Sequence, residues 1–333
     1  MNMDKKIAFA IVGVVAYCAV ALTIAVLLSS LYSDKFNSFD AGLFHSMAET
    51  IRTGMLPYVD FTDNKPPLLF FTLALTDSIL PAGSYDMILM AILNVISALL
   101  IWKIGRDEYG STPGYIAGFL FLVAAVAVQG YFMFSEQFVV VFVLAAYLCA
   151  RNDRWLAAGL LLGCAVGFKQ YAIFGIIPFL YLMHTTGSRH YFRFFLSLLA
   201  VIGAIFGAVY FWYGQTVFIN SVYYTFGIGP DYLAYNFAGG ATNMKPSALM
   251  LIAIVMVSTA MVLPTLVFSS ASVVIHGAKT ITDRTLILFV LSFGMTLFVR
   301  QYLHYWILML PFMALLACRE FAAKEKTHET GAG

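Results

Sequence analysis

Apolar segments long enough to cross a membrane recur along almost the whole chain, and this pattern limits the fold more than any other feature. Of the 333 residues, 61% are hydrophobic and only 11% are charged, and the mean hydropathy is +0.86. The apolar share of a soluble domain is closer to half. The first apolar run, residues 7–31, is longer than the core of a signal peptide and lacks a small-residue cleavage site, which predicts an uncleaved spanning helix. The sequence therefore predicts an all-α polytopic membrane protein without a separate soluble domain.

The distribution of lysine and arginine predicts how the chain crosses the membrane. As a helix, the apolar run 67–80 would be about 21 Å long, which is short of a hydrocarbon core of about 30 Å. If this run dips and returns, 13 of the 19 basic residues are cytoplasmic; if it crosses, 14 lie outside, against the positive-inside rule. We therefore predict that it dips and that both chain termini are cytoplasmic. About ten spans are then expected, at 7–31, 84–104, 113–131, 137–150, 155–168, 171–184, 191–213, 247–275, 285–299 and 305–318.

Three segments outside these spans complete the single predicted membrane domain, residues 1–333. Residues 32–83 form a first outer loop, residues 214–246 form a long aromatic-rich outer loop, and residues 319–333 form a short cytoplasmic tail. We expect the long loop to be an interfacial lid or a lipid groove, because interfacial segments are rich in aromatic residues.

The first outer loop is rich in acidic side chains, five of which lie between Ser33 and Pro67. Its apolar residues recur at helical spacing, namely Phe39, Leu43, Phe44, Met47 and Ile51. This spacing predicts an amphipathic helix along the membrane surface. Ser38 or Asp40 can cap its start, and Gly54 can end it in the left-handed conformation. The prolines of residues 56–67 then require an extended segment.

Ionisable residues also gather at the predicted outer ends of later spans. Lys169 and Arg300 lie there although a cation near the membrane is costly unless it is paired or hydrated. Glu136 and His304 are the neighbouring acidic and imidazole side chains, and Lys65 is one of the three basic residues of the first loop. Such a set suits chemistry with a phosphate leaving group, since cations neutralise its developing charge and a carboxylate accepts a proton from a nucleophile. Asp40 is the central carboxylate in this interpretation.

At these residues the sequence resembles the GT-C superfamily of integral-membrane glycosyltransferases. This superfamily includes the protein O-mannosyltransferases (dolichyl-phosphate-mannose-protein mannosyltransferases), the lipid A aminoarabinose transferase and the oligosaccharyltransferase catalytic subunit. The resemblance starts with SFDAGLF, GMLPYVD and NKPPLLFF in the first loop and continues with FSEQF. It ends with LLLGCAVGFKQY and RQYLHYWILMLPFMALL, so it extends over almost the whole chain.

The resemblance implies a polyprenyl-phosphate-sugar donor, an outward-facing site and inversion at the anomeric carbon. Asp40 would be the general base, and Glu136 would be a second acidic residue that orients the acceptor or holds a metal. Tyr58 and Asp60 would shape the platform of the first loop. Four residues would bind the donor phosphate: Lys65, Lys169, Arg300 and His304.

The sequence departs from this superfamily at two acidic motifs. Ala41 follows Asp40 where many relatives have a second acid, and Ser135–Glu136 replaces an Asp-x-Asp pattern. Hard cations such as Mg²⁺ and Mn²⁺ prefer several oxygen ligands, and these departures remove two of them. No cofactor is therefore assigned, although either cation is compatible with the reaction. The histidines and the four cysteines show no metal-ligand spacing.

Two other functions are weighed against the transferase. A secondary transporter or flippase also carries ionisable residues at helix ends, but its site lies near the bilayer midplane, often between inverted repeats. A noncatalytic assembly subunit could keep the fold without the activity. The transferase interpretation implies as partners a polyprenyl-phosphate sugar, a glycan, lipid or protein acceptor, and membrane lipid, and it implies no nucleic acid. Its expected location is the cytoplasmic membrane, with the site facing outward.

Overall fold

The computed structural model describes residues 3–31, 39–61, 63–220, 248–299 and 302–330, and these ranges are almost entirely helical. The described part has no β-strand, only an isolated bridge between Pro57 and Phe61. The described residues include two 3₁₀ helices, at Gln170–Gly175 and Leu303–Leu308. The α-helices are α1 (Met3–Leu31), α2 (Phe39–Arg52), α3 (Pro67–Asp77), α4 (Asp86–Tyr109), α5 (Ser111–Ala127), α6 (Glu136–Arg151), α7 (Trp155–Phe168), α8 (Ile176–Thr185), α9 (Tyr191–Tyr213), α10 (Thr216–Phe218), α11 (Ala248–His276), α12 (Ile281–Gly294), α13 (Thr296–Val299) and α14 (Leu310–Thr330).

The protein is a multi-pass membrane protein, as its composition predicts. Among the described residues, three stretches of helix are long and apolar enough to cross a membrane, at Ile11–Ser30, Asp86–Tyr109 and Tyr191–Trp212, and shorter apolar helices accompany them. Helices α7 and α9 have the predicted bounds, whereas α3 has only 11 residues. The number of spans, the dip of α3 and the cytoplasmic position of the termini stay predictions.

Three predicted spans are interrupted where continuous helices were expected. The predicted span 171–184 becomes α-helical only at Ile176, and the span 305–318 becomes so only at Leu310; a 3₁₀ helix precedes each. Pro178 and Pro311 explain both starts, because proline is tolerated in the first turn of an α-helix but not in its interior. The predicted span 285–299 is divided between α12 and α13 at Met295. The last helix also continues beyond the predicted span, to Thr330.

Small residues allow α7 and α9 to pack closely. Gly159, Gly163 and Gly167 follow one another at intervals of four along α7. A Cβ atom built at Gly159 would lie 2.3 Å from the Phe194 carbonyl oxygen, and one at Gly163 would lie 2.7 Å from Val201 Cβ. Such small-residue stripes permit close helix packing in membranes. The contact fixes the end of α7, where Lys169 follows.

A cluster of polar side chains joins several helices at the end of α6 that lies away from Glu136. Arg319 Nη1 of α14 lies 2.8 Å from Asp283 Oδ2 of α12, and the Tyr109 hydroxyl at the end of α4 donates to Asp283 at 3.1 Å. Arg151 at the end of α6 pairs with Glu108 of α4. Because Glu136 and Arg151 occupy opposite ends of α6, this cluster and the outer-end residues are separated by the length of that helix.

The first loop contains a helix at the predicted position, with one buried face. Ala41, Phe44, Met47 and Ala48 of α2 are buried, and Gly54 ends the segment with a φ of +85°. Helix α2 packs against α3. Its position along the membrane surface stays a prediction, and most of the predicted long loop 214–246 lies outside the described residues.

Candidate functional site

A buried ion pair joins α6 to the end of α7. Lys169 Nζ lies 2.9 Å from Glu136 Oε1, and the two side chains are 6% and 1% exposed. Glu136 is the first residue of α6, where the helix dipole favours a carboxylate. Lys169 follows the last residue of α7, and its extended backbone turns the chain away from the helix. The two helices thus bring together two residues that the sequence analysis selected separately.

Aromatic rings surround the ammonium group of Lys169. Its Nζ lies 4.8 Å from the centre of the Tyr305 ring and 5.7 Å from that of Tyr171. The two rings meet edge to face, with 5.5 Å between their centres. A cation over aromatic faces is stabilised by the ring quadrupoles. The two rings therefore form part of the buried environment of the ammonium group.

His304 completes this buried group from the 3₁₀ helix that precedes α14. Its ring stacks on Phe134 with 4.0 Å between centres, and its Nε2 lies 3.9 Å from Glu136 Oε1. Burial lowers the pKa of His304 to about 4, against the upward effect of Glu136; Lys169 lowers this pKa further, Asp40 raises it and Lys65 lowers it. The imidazole is therefore neutral at pH 7 and can act as a hydrogen-bond donor or acceptor without adding charge.

The extended part of the first loop is held by its own polar side chains. The Tyr58 hydroxyl donates to the Lys65 carbonyl oxygen at 2.7 Å, and Tyr58 itself has a φ of +65°, which is uncommon for a residue other than glycine. Asp60 accepts from the Leu56 amide at 2.7 Å. Asp63 accepts from the Lys65 amide at 2.7 Å, and its Oδ2 lies 3.5 Å from Lys65 Nζ. Tyr58 and Asp60 thus stabilise the loop that carries Lys65.

A hydrogen bond that the sequence analysis missed ties this loop to the end of α7. Gln170 donates from Nε2 to the Asn64 carbonyl oxygen at 2.6 Å. Asn64 and Gln170 are the immediate neighbours of Lys65 and Lys169, so the bond brings the two lysines to the same end of the protein. In the sequence, Gln170 directly follows Lys169, but a single amide side chain does not show which residue it will bond.

Asp40 lies in the first turn of α2 and is half-buried. Within the described part of the chain, its carboxylate has no hydrogen bond and no ion pair. Its charge nevertheless acts on His304, which places both groups in one electrostatic environment. Asp40 therefore differs from Glu136, Asp60 and Asp63, whose oxygens are already engaged.

The structure brings together five of the residues selected from the sequence: Asp40, Lys65, Glu136, Lys169 and His304. Tyr58 and Asp60 support the loop beneath them. Arg300 lies outside the described residues. The roles assigned to all eight stay predictions.

An apolar groove opens beside the first loop. It has a volume of about 450 Å³ and lies between α3 and α9. Its lining consists of Pro67, Leu68, Phe71, Ile205, Ala208, Val209 and Trp212. Pro67 is two residues from Lys65, so one end of the groove lies close to that cation.

The site residues do not fit a divalent cation. Glu136 Oε1 pairs with Lys169, and Oε2 accepts from the Ser135 hydroxyl at 3.1 Å. In the ranges that the structure describes, no three His, Cys, Asp or Glu residues are grouped in a way that could hold a metal ion. Asp40 alone would supply too few of the oxygen ligands that Mg²⁺ or Mn²⁺ requires.

Comparison with known proteins identifies the architecture. Two crystal structures of ArnT from Cupriavidus metallidurans resemble this chain. The apo structure has a TM-score of 0.63 at 16% identity and covers 95% of this chain and 60% of that one. The structure bound to undecaprenyl phosphate has a TM-score of 0.62 at 15% identity and covers 93% and 60%. The chain has the GT-C fold. The resemblance inferred from the sequence motifs is therefore confirmed.

Sequence comparisons agree with the GT-C fold. The family model of the dolichyl-phosphate-mannose-protein mannosyltransferases matches residues 64–213, a range that contains Lys65, Glu136 and Lys169. GPI mannosyltransferase 1 from Kluyveromyces lactis is 25% identical over 187 residues, which is 55% of this chain and 46% of that protein. The Eremothecium gossypii GPI mannosyltransferase 1 is 22% identical over 200 residues, 59% and 50% of the two chains. This GT-C chain thus spans about half the length of the curated relatives it matches.

Proposed function

We propose that this GT-C protein transfers a sugar from a polyprenyl phosphate to an acceptor on the outer face of the cytoplasmic membrane, with inversion at the anomeric carbon. The observation that carries the proposal is the contrast between Asp40 and its neighbours. Within the described residues, Asp40 has no hydrogen bond or ion pair, and its charge acts on the same His304 as the charges of Lys169 and Lys65. The other acidic side chains of the site are engaged in ion pairs or hydrogen bonds. The site therefore offers Asp40 as a base and the lysines as groups that bind phosphate.

The donor phosphate binds to Lys169 and Lys65 in this proposal. An ammonium group has three N–H donors, and the contact with Glu136 uses one of the three on Lys169. Neutral His304 adds a further hydrogen bond without changing the charge. Arg300, predicted at the same end, would add a planar donor that suits phosphate. When the bond between the sugar and phosphate breaks, these groups stabilise the negative charge that the polyprenyl phosphate gains.

Asp40 acts as the general base. A hydroxyl or amine of the acceptor attacks the anomeric carbon from the face opposite the phosphate, and Asp40 takes the proton of that nucleophile as the new bond forms. The bond from the anomeric carbon to the phosphate oxygen breaks, and the electron pair leaves with the polyprenyl phosphate. A single displacement of this kind inverts the configuration. General-base assistance contributes about 10²- to 10⁴-fold in rate.

Glu136 has a supporting role in this mechanism. It is 1% exposed and lies beneath Lys169 and His304. From these contacts we infer that Glu136 orients Lys169. They do not favour a role of Glu136 in contacting the acceptor or a metal ion. The pairing with Lys169 also explains why the buried charge of Glu136 is tolerated, since a buried charge requires a partner.

The polyprenyl chain occupies the groove between α3 and α9. Its apolar lining suits a hydrocarbon chain, and its position beside Lys65 allows the phosphate and the chain of one donor to bind at the same time. The ArnT structure contains undecaprenyl phosphate, which makes this lipid carrier the first to test. The mannosyltransferase relatives favour mannose as the first sugar.

The test compares wild type with Asp40→Asn in purified, nanodisc-embedded protein, using radiolabelled polyprenyl-phosphate sugars. We expect one donor to bind both proteins with similar affinity, and turnover by the variant to fall by about 100-fold or more. Glu49→Gln is the matched control, because Glu49 is an exposed carboxylate on the same helix that pairs with Arg52. This control should keep full activity.

Two results would overturn the proposal. Full activity of Asp40→Asn would remove the base assignment and make Asp60 or Asp63 the next residue to test. Tight binding without transfer by wild type, together with movement of the lipid across the membrane, would instead favour a flippase.

A further inference from the structure

His45 lies at the centre of a buried polar cluster that the sequence motifs do not reveal. Its Nδ1 is 2.8 Å from Asp77 Oδ2, and its Nε2 is 2.9 Å from Asp86 Oδ1. The Tyr85 hydroxyl donates to Asp77 Oδ1 at 2.7 Å, and the Tyr85 ring meets the imidazole edge to face. His45, Asp77 and Asp86 are 2%, 7% and 2% exposed. We name His45, Asp77 and Asp86 the α2 clasp.

The geometry favours a charged imidazole. An ionised carboxylate only accepts hydrogen bonds, so both ring nitrogens must carry a proton to satisfy both partners. Burial lowers the pKa of His45, but the hydrogen bonds to Asp86 and Asp77 outweigh this effect and raise it above the usual value. The clasp is therefore a cation between two anions. Since each ring nitrogen faces a different carboxylate, none is left as a ligand for a metal ion.

Apolar packing would be a less costly way to join these helices. Buried ionic groups often stabilise a protein no more than apolar residues of similar size. In addition, Asp86 Oδ2 is buried without a hydrogen-bond partner, and Asp77 is the last residue of α3, where the helix dipole disfavours a carboxylate. Directional contacts of this kind are more useful for fixing an orientation than for stability.

Two of the three helices that form the clasp, α2 and α3, flank the first part of the site. His45 belongs to α2, whose first turn holds Asp40. Phe44, the neighbour of His45, lies under the ammonium of Lys65, with 4.9 Å between Nζ and the ring centre. Asp77 ends α3, which begins two residues after Lys65, and Asp86 begins α4. The clasp therefore fixes α2 relative to the loop that carries the donor-binding lysine.

We propose that His45 is a positioning residue for sugar transfer, which holds Asp40 at the correct distance from the donor cations through its contacts with Asp77 and Asp86. This inference rests on the proposed function. It makes the clasp responsible for catalytic rate rather than for donor affinity, because the donor contacts themselves remain. It also predicts loss of rate at high pH, since the clasp is intact while His45 is protonated and is lost as the pH rises through the raised pKa.

The test uses a variant that removes all three charges at nearly constant size, His45→Gln with Asp77→Asn and Asp86→Asn. This avoids the unpaired buried charges that a single substitution would leave. We expect a folded protein with the donor KM within about threefold of wild type and a kcat at least about tenfold lower. The loss of rate at alkaline pH should disappear. A role in stability alone would change neither kcat per folded molecule nor the pH profile.

The matched control, Glu49→Gln with Arg52→Gln, removes an exposed ion pair from the same helix and should behave as wild type.

A second measurement tests the clasp independently of activity. Spin labels at Ser46 on α2 and Ile79 after α3, both exposed, are placed in a background without the native cysteines. We expect a narrow distance distribution with the clasp intact and a broad one in the three-charge variant. An equally narrow distribution in both proteins would overturn the positioning role, even if wild type transferred no sugar. Absence of transfer by wild type with the expected broadening would instead overturn the proposed function alone.

Discussion

Lys169 Nζ lies 2.9 Å from Glu136 Oε1, and this buried contact joins the start of α6 to the end of α7. The pair is the structural centre of the candidate site, since His304, Tyr305 and the loop bearing Lys65 all pack around it. A pair of this kind makes its two members interdependent, because either charge alone would be buried without compensation.

Removing one member of the pair should destabilise the protein more than removing both. We expect Glu136→Gln to cost about 3 kcal/mol, and Tm to fall by roughly 5–10 °C. Glu136→Gln with Lys169→Gln should recover much of this Tm but should stay inactive, because the donor phosphate has lost a cation. Thermal unfolding and donor turnover of the three proteins in nanodiscs check this prediction. A single variant as stable as wild type would contradict it.

The neutral His304 should make stability dependent on pH. Its pKa of about 4 lies below the usual 6.5, so the unfolded state binds a proton between these values while the folded state does not. The folded state therefore loses stability as the pH falls from about 6.5 to about 4. His304→Phe keeps an aromatic ring against Phe134 and lacks this titration. The Tm difference between wild type and His304→Phe, measured from pH 7 to pH 4, should shift in favour of the variant. A constant difference would contradict the neutral state of His304.

Separating α7 from α9 should disturb the site from a distance. Gly163→Leu adds a side chain where even a Cβ would lie 2.7 Å from Val201 Cβ, so we expect a lower Tm and reduced donor turnover as Lys169 shifts. Gly203→Ala on α9 is the control, since a Cβ there meets nothing within 4 Å. Measurements of Tm and turnover on both variants distinguish a packing effect from a general effect of glycine replacement. Equal behaviour of the two variants would count against the close packing.

Filling the groove should select against long lipid chains. Ala208→Phe places a ring among the lining residues of α3 and α9, and we expect a higher KM for a long polyprenyl donor with a smaller change for a short one. Gly207→Phe puts the same ring on a neighbouring open position of α9 and is the control. Initial rates with donors of two chain lengths give the comparison. The same change for both lengths would place the lipid chain elsewhere.

Some parts of the site are visible in the sequence because local chemistry determines them. Glu136 and Lys169 stand out as charges at the ends of apolar runs, where an ionisable residue is costly unless it is paired or hydrated. Asp40 stands out as a carboxylate of the acid-rich first loop. The helix at Phe39–Arg52 follows from its apolar spacing and from Gly54. The bounds of α7 and α9 follow from polar residues at their ends.

The His45 contacts could not be predicted in this way. In the sequence His45 is one polar residue of an amphipathic helix, and Asp77 and Asp86 are ordinary polar residues at the ends of apolar runs. Only the packing of α2 against α3, with the start of α4 beside them, makes the three residues neighbours, and it buries two aspartates that the sequence suggests are solvated. Asp63 shows the same dependence, because its pairing with Lys65 requires the turn between them.

The sequence by itself determined that this chain is a helical membrane protein with the motifs of a GT-C protein, because hydropathy and charge placement act over a few neighbouring residues. Only the tertiary structure decided which charges meet. Burial, partner and protonation state at Lys169, Glu136, His304 and His45 depend on side chains from distant helices. The free energy of a buried charge is determined by those partners and not by its neighbours in the chain.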